Sequence, residues 1–281
     1  MEISSLQAFL EVAEKGSFSA AAKSLFITQP AVSKRINLLE TNLGSLLLDR
    51  SGRSVKLTSA GETLLPRAKS ILREVKDAQL QMEYIAGNVG GLLRIATSHH
   101  IGLHRLPELL KSFHQSHADV ELNISFLSSE AAIHAVLQRD VELAVVTLPE
   151  ESIHALQSST LWIDELYIVY SGTKKQSFAD LVNEPAIFPS KETATRQLIE
   201  RHLSEMQAQP IVTQESNYLE TIKMLVSAGL GWSILPKTVF AHDKNIQQLD
   251  DLKITRKLGL VTRKNRPLSN AAKAFVTLLS A

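Results

Sequence analysis

The stretch from Thr28 to Thr41 carries residues suited to touching another molecule. Val32, Ile36, Leu39 and Leu43 recur 4, 3 and 4 apart, which puts them on one side of a helix. Pro30, Ser33, Lys34, Asn37 and Thr41 then fall on the opposite side. That side offers hydroxyls, an amide and a cation, and no acid. Lysine can donate to guanine, and serine or asparagine can serve base edges or phosphates, so the major groove of DNA suits such a helix. A second concentration of polar groups runs Thr97-Ser98-His99-His100, with Ser128-Ser129, Thr147, Ser190 and Ser216-Asn217 further along. Hydroxyls, imidazoles and an amide around helix N-termini suit a small anion, because the donors and the helix dipole both favour negative charge. His100 and His104 have the spacing of two imidazoles on one helical face. With no acid close in sequence this is a weak metal signal, and no metal or other cofactor is assigned.

Each of these features has a plainer reading. A solvated helix face can share the first composition. His99 and His100 could be ordinary surface or hinge histidines, and Ser128, Ser129 and Asn217 could simply cap the helices that follow them. The surrounding elements weigh on the choice.

Around the first feature, Leu6, Phe9, Leu10 and Ala13 predict an amphipathic helix over residues 3–14 that stops before Gly16. Ser19 is the expected cap of a short helix, Ala20–Leu25, whose small residues allow close packing. Thr28 can cap a third helix, with Pro30 in its first turn and Gly44 beyond its end. Residues 46–57 read as two short strands joined at Ser51-Gly52, with Arg50, Arg53 and Lys56 on or beside the hairpin. Basic side chains on a projecting hairpin grip phosphates or enter a minor groove. From residue 15 to 56 seven Lys/Arg stand against Glu40 and Asp49, a local charge of +5, although the chain as a whole is only +1. A basic head on a near-neutral body is the asymmetry phosphate attraction requires.

Ser59-x-x-Glu62 has the form of a capping box opening a long helix over residues 59–86. Leu64, Ala68, Ile71, Val75, Ala78, Met82 and Ile85 alternate 4 and 3 apart along it, the seam of a coiled coil. The expectation is a homodimer through this helix; the alternative is that the seam packs on its own chain. Pro66 should bend the helix near its start. Gly87-Asn88-Val89-Gly90-Gly91 ends it and supplies a hinge.

Taken together, Leu6-x-x-Phe9, Gly16-Ser17-Phe18-Ser19-Ala20-Ala21-Ala22, Gln29-Pro30-Ala31-Val32-Ser33, Leu38-Leu39-Glu40 and Leu57-Thr58-x-Ala60-Gly61 resemble the LysR-type transcriptional regulators, in that family's order and spacing. Leu48 stands where the family often has phenylalanine. The resemblance implies a sequence-specific regulator bound to double-stranded promoter DNA. Thr28, Gln29, Pro30, Ser33, Lys34 and Arg35 align with its recognition region, and Arg50 and Arg53 with its wing. Arg35 lies toward the buried flank and fits a phosphate or structural role better than base reading. The resemblance further implies a dimer of dimers, a homotetramer, and admits RNA polymerase as another partner.

From residue 92 the pattern alternates strand and helix. Leu92–Thr97, Val120–Phe126 and Leu143–Val146 are expected strands, with helices over Ile101–His114 and Glu130–Arg139 between them. A second set runs Tyr167–Tyr170, Ala186–Phe188, Thr195–Met206, Ile211–Thr213, Leu219–Ala228 and Leu258–Thr262, and a closing helix spans Leu268–Leu279. The fold class is α/β with an open, mostly parallel sheet. Gly229-Leu230-Gly231-Trp232-Ser233-Ile234-Leu235-Pro236 also resembles the family's second-lobe signature, which implies a periplasmic-binding-protein-like effector domain of two lobes. Two crossing strands near 160–164 and 261–265 would hinge them. The resulting division is a winged helix-turn-helix at 1–58, a linker helix and hinge at 59–90, and an effector domain at 91–281. Within it, lobe 1 takes about 91–161 plus 265–281 and lobe 2 about 162–264. Ligands of open parallel sheets lie beyond the carboxyl ends of strands, which nominates the second polar group for a small anionic effector.

Other classes fare worse. The absence of cysteine excludes disulfides, thiolate metal sites and thiol catalysis. No Gly-x-Ser-x-Gly elbow, Gly-rich phosphate loop or His-Glu-x-x-His pair is present, so an enzyme is not expected. A two-lobed binding fold also serves transport receptors and a few lyases, but a receptor would need an export signal and has no use for a DNA-reading head. The N-terminal residues lack a basic leader and no apolar run nears the ~18 residues of a membrane span, so the cytoplasm is the expected location.

Overall fold

The computed structural model describes residues 1–51, 54–85, 89–172 and 176–280. The chain divides into two compact units, Met1–Ala86 and Gly87–Ala281.

In the first unit α1 (Ile3–Lys15) ends at Gly16, whose left-handed φ of 64° lets its N–H return to the Val12 carbonyl. The second helix, α2 (Phe18–Ser24), starts two residues earlier than expected. Ser17, not Ser19, is its cap, accepting from Ala20 N, while the Ser19 hydroxyl donates to Gln29 Oε1 at 3.1 Å. Phe26, in the turn that follows, holds a φ of 54°. The third helix, α3 (Gln29–Leu43), has Pro30 in its first turn and closes on Gly44. Val32, Ile36 and Leu39 are buried as the spacing predicts, but Leu43 is 41% exposed, because the helix outruns the small core beneath it. A two-stranded wing, β1 (Leu48–Asp49) and β2 (Lys56–Leu57), pairs antiparallel. Its tip, with Gly52 and Arg53, lies outside the described residues.

The long helix α4 (Ser59–Ile85) is capped by Thr58 rather than by a Ser59 box: Thr58 Oγ1 accepts from Gly61 N and donates to the Leu46 carbonyl at 2.6 Å. A Cβ on Gly61 would stand 2.1 Å from the Leu47 carbonyl oxygen, so only glycine lets the helix start against the wing. The expected seam divides. Leu64, Ala68 and Ile71 join the head core of Leu6, Phe9, Val12 and Ile36, whereas Ala78 and Met82 are exposed. The N-terminal half therefore packs on its own chain. The hinge residues Gly87 and Asn88 lie outside the described residues.

The second unit holds β3 (Gly91–Thr97), α5 (His99–His104), α6 (Pro107–Ser116), β4 (Val120–Phe126), α7 (Ser129–Leu137), β5 (Leu143–Thr147), β6 (Leu156–Ser171), α8 (Phe178–Leu181), β7 (Pro185–Phe188), α9 (Ala194–Glu205), β8 (Ile211–Glu215), α10 (Leu219–Ser227), β9 (Ser233–Pro236), α11 (Lys237–Phe240), β10 (Ile246–Arg263) and α12 (Asn270–Leu279). The one helix expected over 101–114 is two, because Pro107 has no N–H to continue α5 and instead opens α6.

A six-stranded sheet runs β4-β3-β5-β10-β6-β9, and β7 pairs with β8. Strands β3, β4 and β5 are parallel, as are β7 and β8, while β10 runs antiparallel to β5 and β6, so the large sheet is mixed. Lobe 1 packs Leu93, Ile95, Phe113, Leu258, Leu260 and Phe275; lobe 2 packs Leu166, Phe188, Ile199, Trp232 and Ile254. The two long strands β6 and β10 serve both lobes. The partners of 160–164 are residues 256–259, from Thr160↔Gly259 to Asp164↔Arg256. The expected second crossing at 261–265 thus moves back, since Val261 and Thr262 pair with β5 deep in lobe 1. Residues 258–264 accordingly go with lobe 1.

Candidate functional site

In the first unit the two sides of α3 separate as a DNA-reading helix requires. Thr28, Gln29, Pro30, Lys34 and Asn37 are exposed, and Ser33 and Arg35 are half-buried. Opposite them, the buried Glu40 carboxylate accepts from Leu47 N at 2.8 Å and Leu48 N at 3.2 Å, and its second oxygen meets Arg50 at 2.9 Å. The same guanidinium donates to Asn37 Oδ1 at 2.9 Å and lies 4.9 Å from the Phe18 ring centroid. Arg50 is therefore a strut between wing and recognition helix, half-exposed, rather than a free phosphate arm. The sequence shows Glu40 only as one acid of the head and the end of the Leu38-Leu39-Glu40 motif, because a buried acid and a solvated one are spelled alike. Asp49 caps the wing turn through the Ser51 hydroxyl and N–H, which hold its carboxyl below the usual range. Arg53 lies outside the described residues.

In the second unit a cleft of about 460 Å³ opens between the lobes. Lobe 1 lines it with Ser98, His99 and His100 at the start of α5, with Ser128 and Ser129 at the start of α7, and with Thr147 at the end of β5; lobe 2 brings Ser190, Ser216 and Asn217. Nine of the ten residues nominated from sequence meet there. Thr97 does not: it is fully buried, and its hydroxyl donates to the Val145 carbonyl, tying β3 to β5. Ser128 Oγ accepts from Ala131 N, Ser129 Oγ from Thr147 N, and Ser216 Oγ from Tyr218 N. A capping hydroxyl of this kind still has its O–H to donate. Asn217 Oδ1 accepts from Ser190 N, and Ser98 stands at the N-cap of α5 without capping it. His99 bridges the mouth, 5.3 Å from the ring of Phe126 and 4.8 Å from that of Tyr218. Glu130 reaches across to accept from Ala194 N at 2.8 Å, seating a carboxylate on the N-terminus of α9.

The floor holds a group no local pattern revealed. Arg256 is buried and donates through Nε and Nη2 to Asp164 Oδ2, at 3.0 and 2.8 Å, and through Nη1 to Thr195. Burial alone would raise the Asp164 carboxyl; the His100 imidazole and the Arg256 charge hold it at about 2. Burial also pushes His100 down, toward the neutral ring. These residues are far apart in sequence, and only the register of β6 against β10 brings Asp164 and Arg256 opposite one another.

Residues 3–62 match the family described as bacterial regulatory helix-turn-helix protein, lysR family, and residues 86–281 the LysR substrate binding domain. Over 107 residues the chain is 56% identical to an uncharacterized HTH-type transcriptional regulator in the ibpB-leuC intergenic region of Azotobacter vinelandii, spanning 38% of this chain and 74% of that one. It is 30% identical over 283 residues to the HTH-type transcriptional regulator CbbR of Rhodospirillum rubrum, which covers 98% of this chain and 95% of the relative. Among solved structures, full-length CbnR complexed with its target DNA is similar with a TM-score of 0.72 at 23% identity, across all of both chains. That likeness concerns the fold.

Proposed function

This chain belongs to the LysR-type transcriptional regulators, DNA-binding proteins that are not enzymes, and from that premise we propose that a small anionic effector, held in the cleft between its two lobes, controls how it engages promoter DNA. The observation that carries the reading is the convergence in one cleft of Ser98, Ser128 and Ser216 with the start of α7 and the guanidinium of Arg256. Hydroxyl donors and helix N-termini favour negative charge, and the Glu130 carboxylate already uses one such terminus. An anion entering there competes with Glu130 for Ala194 N–H, and so trades a contact between lobes for a contact with itself.

The effector shifts the balance between lobe arrangements only by the difference in its affinity for them. On the DNA side Thr28, Gln29, Pro30, Ser33 and Lys34 read the major groove, with Arg35 on the backbone and Arg50 bracing the wing against α3. The exposed half of α4 carries dimerisation, and the protein works in the cytoplasm. For a test, operator DNA is titrated by fluorescence anisotropy with and without effectors drawn from a thermal-shift screen of carboxylates and oxyanions, since a tight ligand raises stability by mass action. Ser98→Ala should lose the effector response while DNA affinity stays near wild type. A response that survives this substitution would remove Ser98 from the pocket.

A further inference from the structure

Three side chains come together beside the cleft, only one of which, His100, lines it. His100 and His104 stand one turn apart on α5 of lobe 1, and Glu220 comes from the first turn of α10 in lobe 2. Their nearest ligating atoms, one from each residue, all lie within 4.8 Å of one another. His104 Nε2 and Glu220 Oε1 are 2.9 Å apart, and the two imidazole centroids are 5.1 Å apart. Sequence supplied the histidine pair but not the acid, which is 116 residues further along the chain and on the other lobe.

We infer that His100, His104 and Glu220 form a binding site for a divalent transition-metal cation of the zinc class, bridging the two lobes. The second, independent observation is His100 itself. It is 5% exposed, yet among the described residues neither ring nitrogen makes a well-directed hydrogen bond: Nδ1 meets no partner, and Nε2 only faces the Asp164 carboxylate. A buried polar group without a partner costs about 1–3 kcal/mol, so one kept in a well-packed fold needs a reason. A cation supplies it. One nitrogen would ligate, and the other would face Asp164, whose Oδ2 is 3.3 Å from Nε2. A carboxylate behind a ligating imidazole is the arrangement that fixes the ring and raises its basicity in metal sites.

The donor set selects the class of ion. Two imidazoles and one carboxylate suit zinc, cobalt, nickel or ferrous iron, whereas magnesium and calcium take oxygen ligands. Three protein ligands leave coordination positions open, as in sites that bind an exogenous molecule. The 4.8 Å span exceeds the ~3–4 Å between neighbouring ligands at metal–ligand distances of about 2 Å, so the side chains must draw in slightly. His104 and Glu220 are both partly exposed and can do so. The surrounding charge does not oppose it: Asp164 and Glu220 offset Arg105 and Arg256, and Arg256 and Arg105 both face Asp164. A bound ion would hold α5 to α10, and with them lobe 1 to lobe 2. The site stands whichever effector the cleft takes.

The test uses the full chain, stripped of metal by chelation, with Zn(II) as probe in competition with a chromophoric chelator and Co(II) as a spectroscopic stand-in. Wild type should bind one equivalent, give the visible absorption of a nitrogen- and oxygen-ligated cobalt, and melt at a higher temperature with zinc than without. His104→Ala and Glu220→Gln, both at partly exposed positions, should each weaken zinc at least about tenfold, the lower bound for losing even an outer partner. Each should also abolish the melting shift. His134→Gln, at an exposed histidine elsewhere on lobe 1, should change neither. Absence of one-equivalent binding in wild type overturns the inference, as do zinc affinities unchanged in both site variants or lowered equally by His134→Gln.

Discussion

At the scale of the residue, Phe26 shows what the helix-turn-helix tolerates. It is 96% exposed and adopts a φ of 54° between α2 and α3. An aromatic side chain gains nothing from packing there, and the left-handed backbone costs a bulky residue about 1 kcal/mol or more. Asparagine is at home in that conformation. Phe26→Asn should therefore raise the unfolding free energy by up to about 1 kcal/mol, read as a higher urea midpoint with the m-value unchanged; a lower midpoint would mean that Phe26 makes a stabilising contact. The site residues visible in the sequence were those with a local signature. Ser98, Ser128 and Ser129 announce themselves by standing just past a strand and just before a helix. Thr97, one position earlier, reads the same way, but its hydroxyl is committed to Val145. Glu40, Asp164, Glu220 and Arg256 have no local signature, because each takes its meaning from a partner that folding brings to it.

At the scale of the element, the Glu40 carboxylate gathers most of the ties between the wing and α3. Glu40 receives two backbone N–H groups from Leu47 and Leu48 as well as Arg50. Glu40→Ala leaves both N–H groups buried without an acceptor and frees the guanidinium, at a cost of about 2–4 kcal/mol for donors around a charged acceptor. Operator affinity should fall more than tenfold, and thermal denaturation followed by circular dichroism should show a less stable head. If affinity drops while stability holds, Glu40 acts through DNA geometry alone. The long helix makes the complementary point. Its heptad pattern was plain in the sequence, yet periodicity does not say which partner a seam meets, and Leu64, Ala68 and Ile71 meet their own head. Met82, 64% exposed, lies on the stretch proposed to carry dimerisation. Met82→Glu should shift sedimentation toward monomer at micromolar concentration; an undisturbed dimer would place the interface elsewhere. The remaining errors in the elements were boundaries and long β-strands: β10 is anticipated only over Leu258–Thr262, because the buried positions before it, Leu252, Ile254 and Arg256, alternate with exposed ones but include an arginine that hides the pattern in the sequence.

At the scale of the whole molecule, charge is divided between the units. The basic residues of the head, Lys34 among them, displace counterions where they meet phosphates, so operator affinity should fall steeply between about 50 and 200 mM salt. A flat salt profile would show that this head is not the binding surface. In the second unit the polar ties between lobes include three that are partly exposed, Glu130 to Ala194 N, His104 to Glu220 and Glu150 to Arg201, beside the buried Asp164 that faces His100 and Arg105. Exposed ion pairs contribute ~0–1 kcal/mol each, which leaves the lobes within reach of a modest ligand. The strand order carries a further consequence, for how this protein is made. The strand that sits between β5 and β6 is β10, which leaves the ribosome well after both. Until it emerges, the nascent chain displays two bare sheet edges and an unfinished lobe 1. Between Thr147 and its partner Leu258 lie 111 residues of translation, roughly 6–20 s at bacterial elongation rates. During that interval the half-made effector domain is open to strand pairing with its neighbours on the same message, and it is then that a chaperone has most to protect.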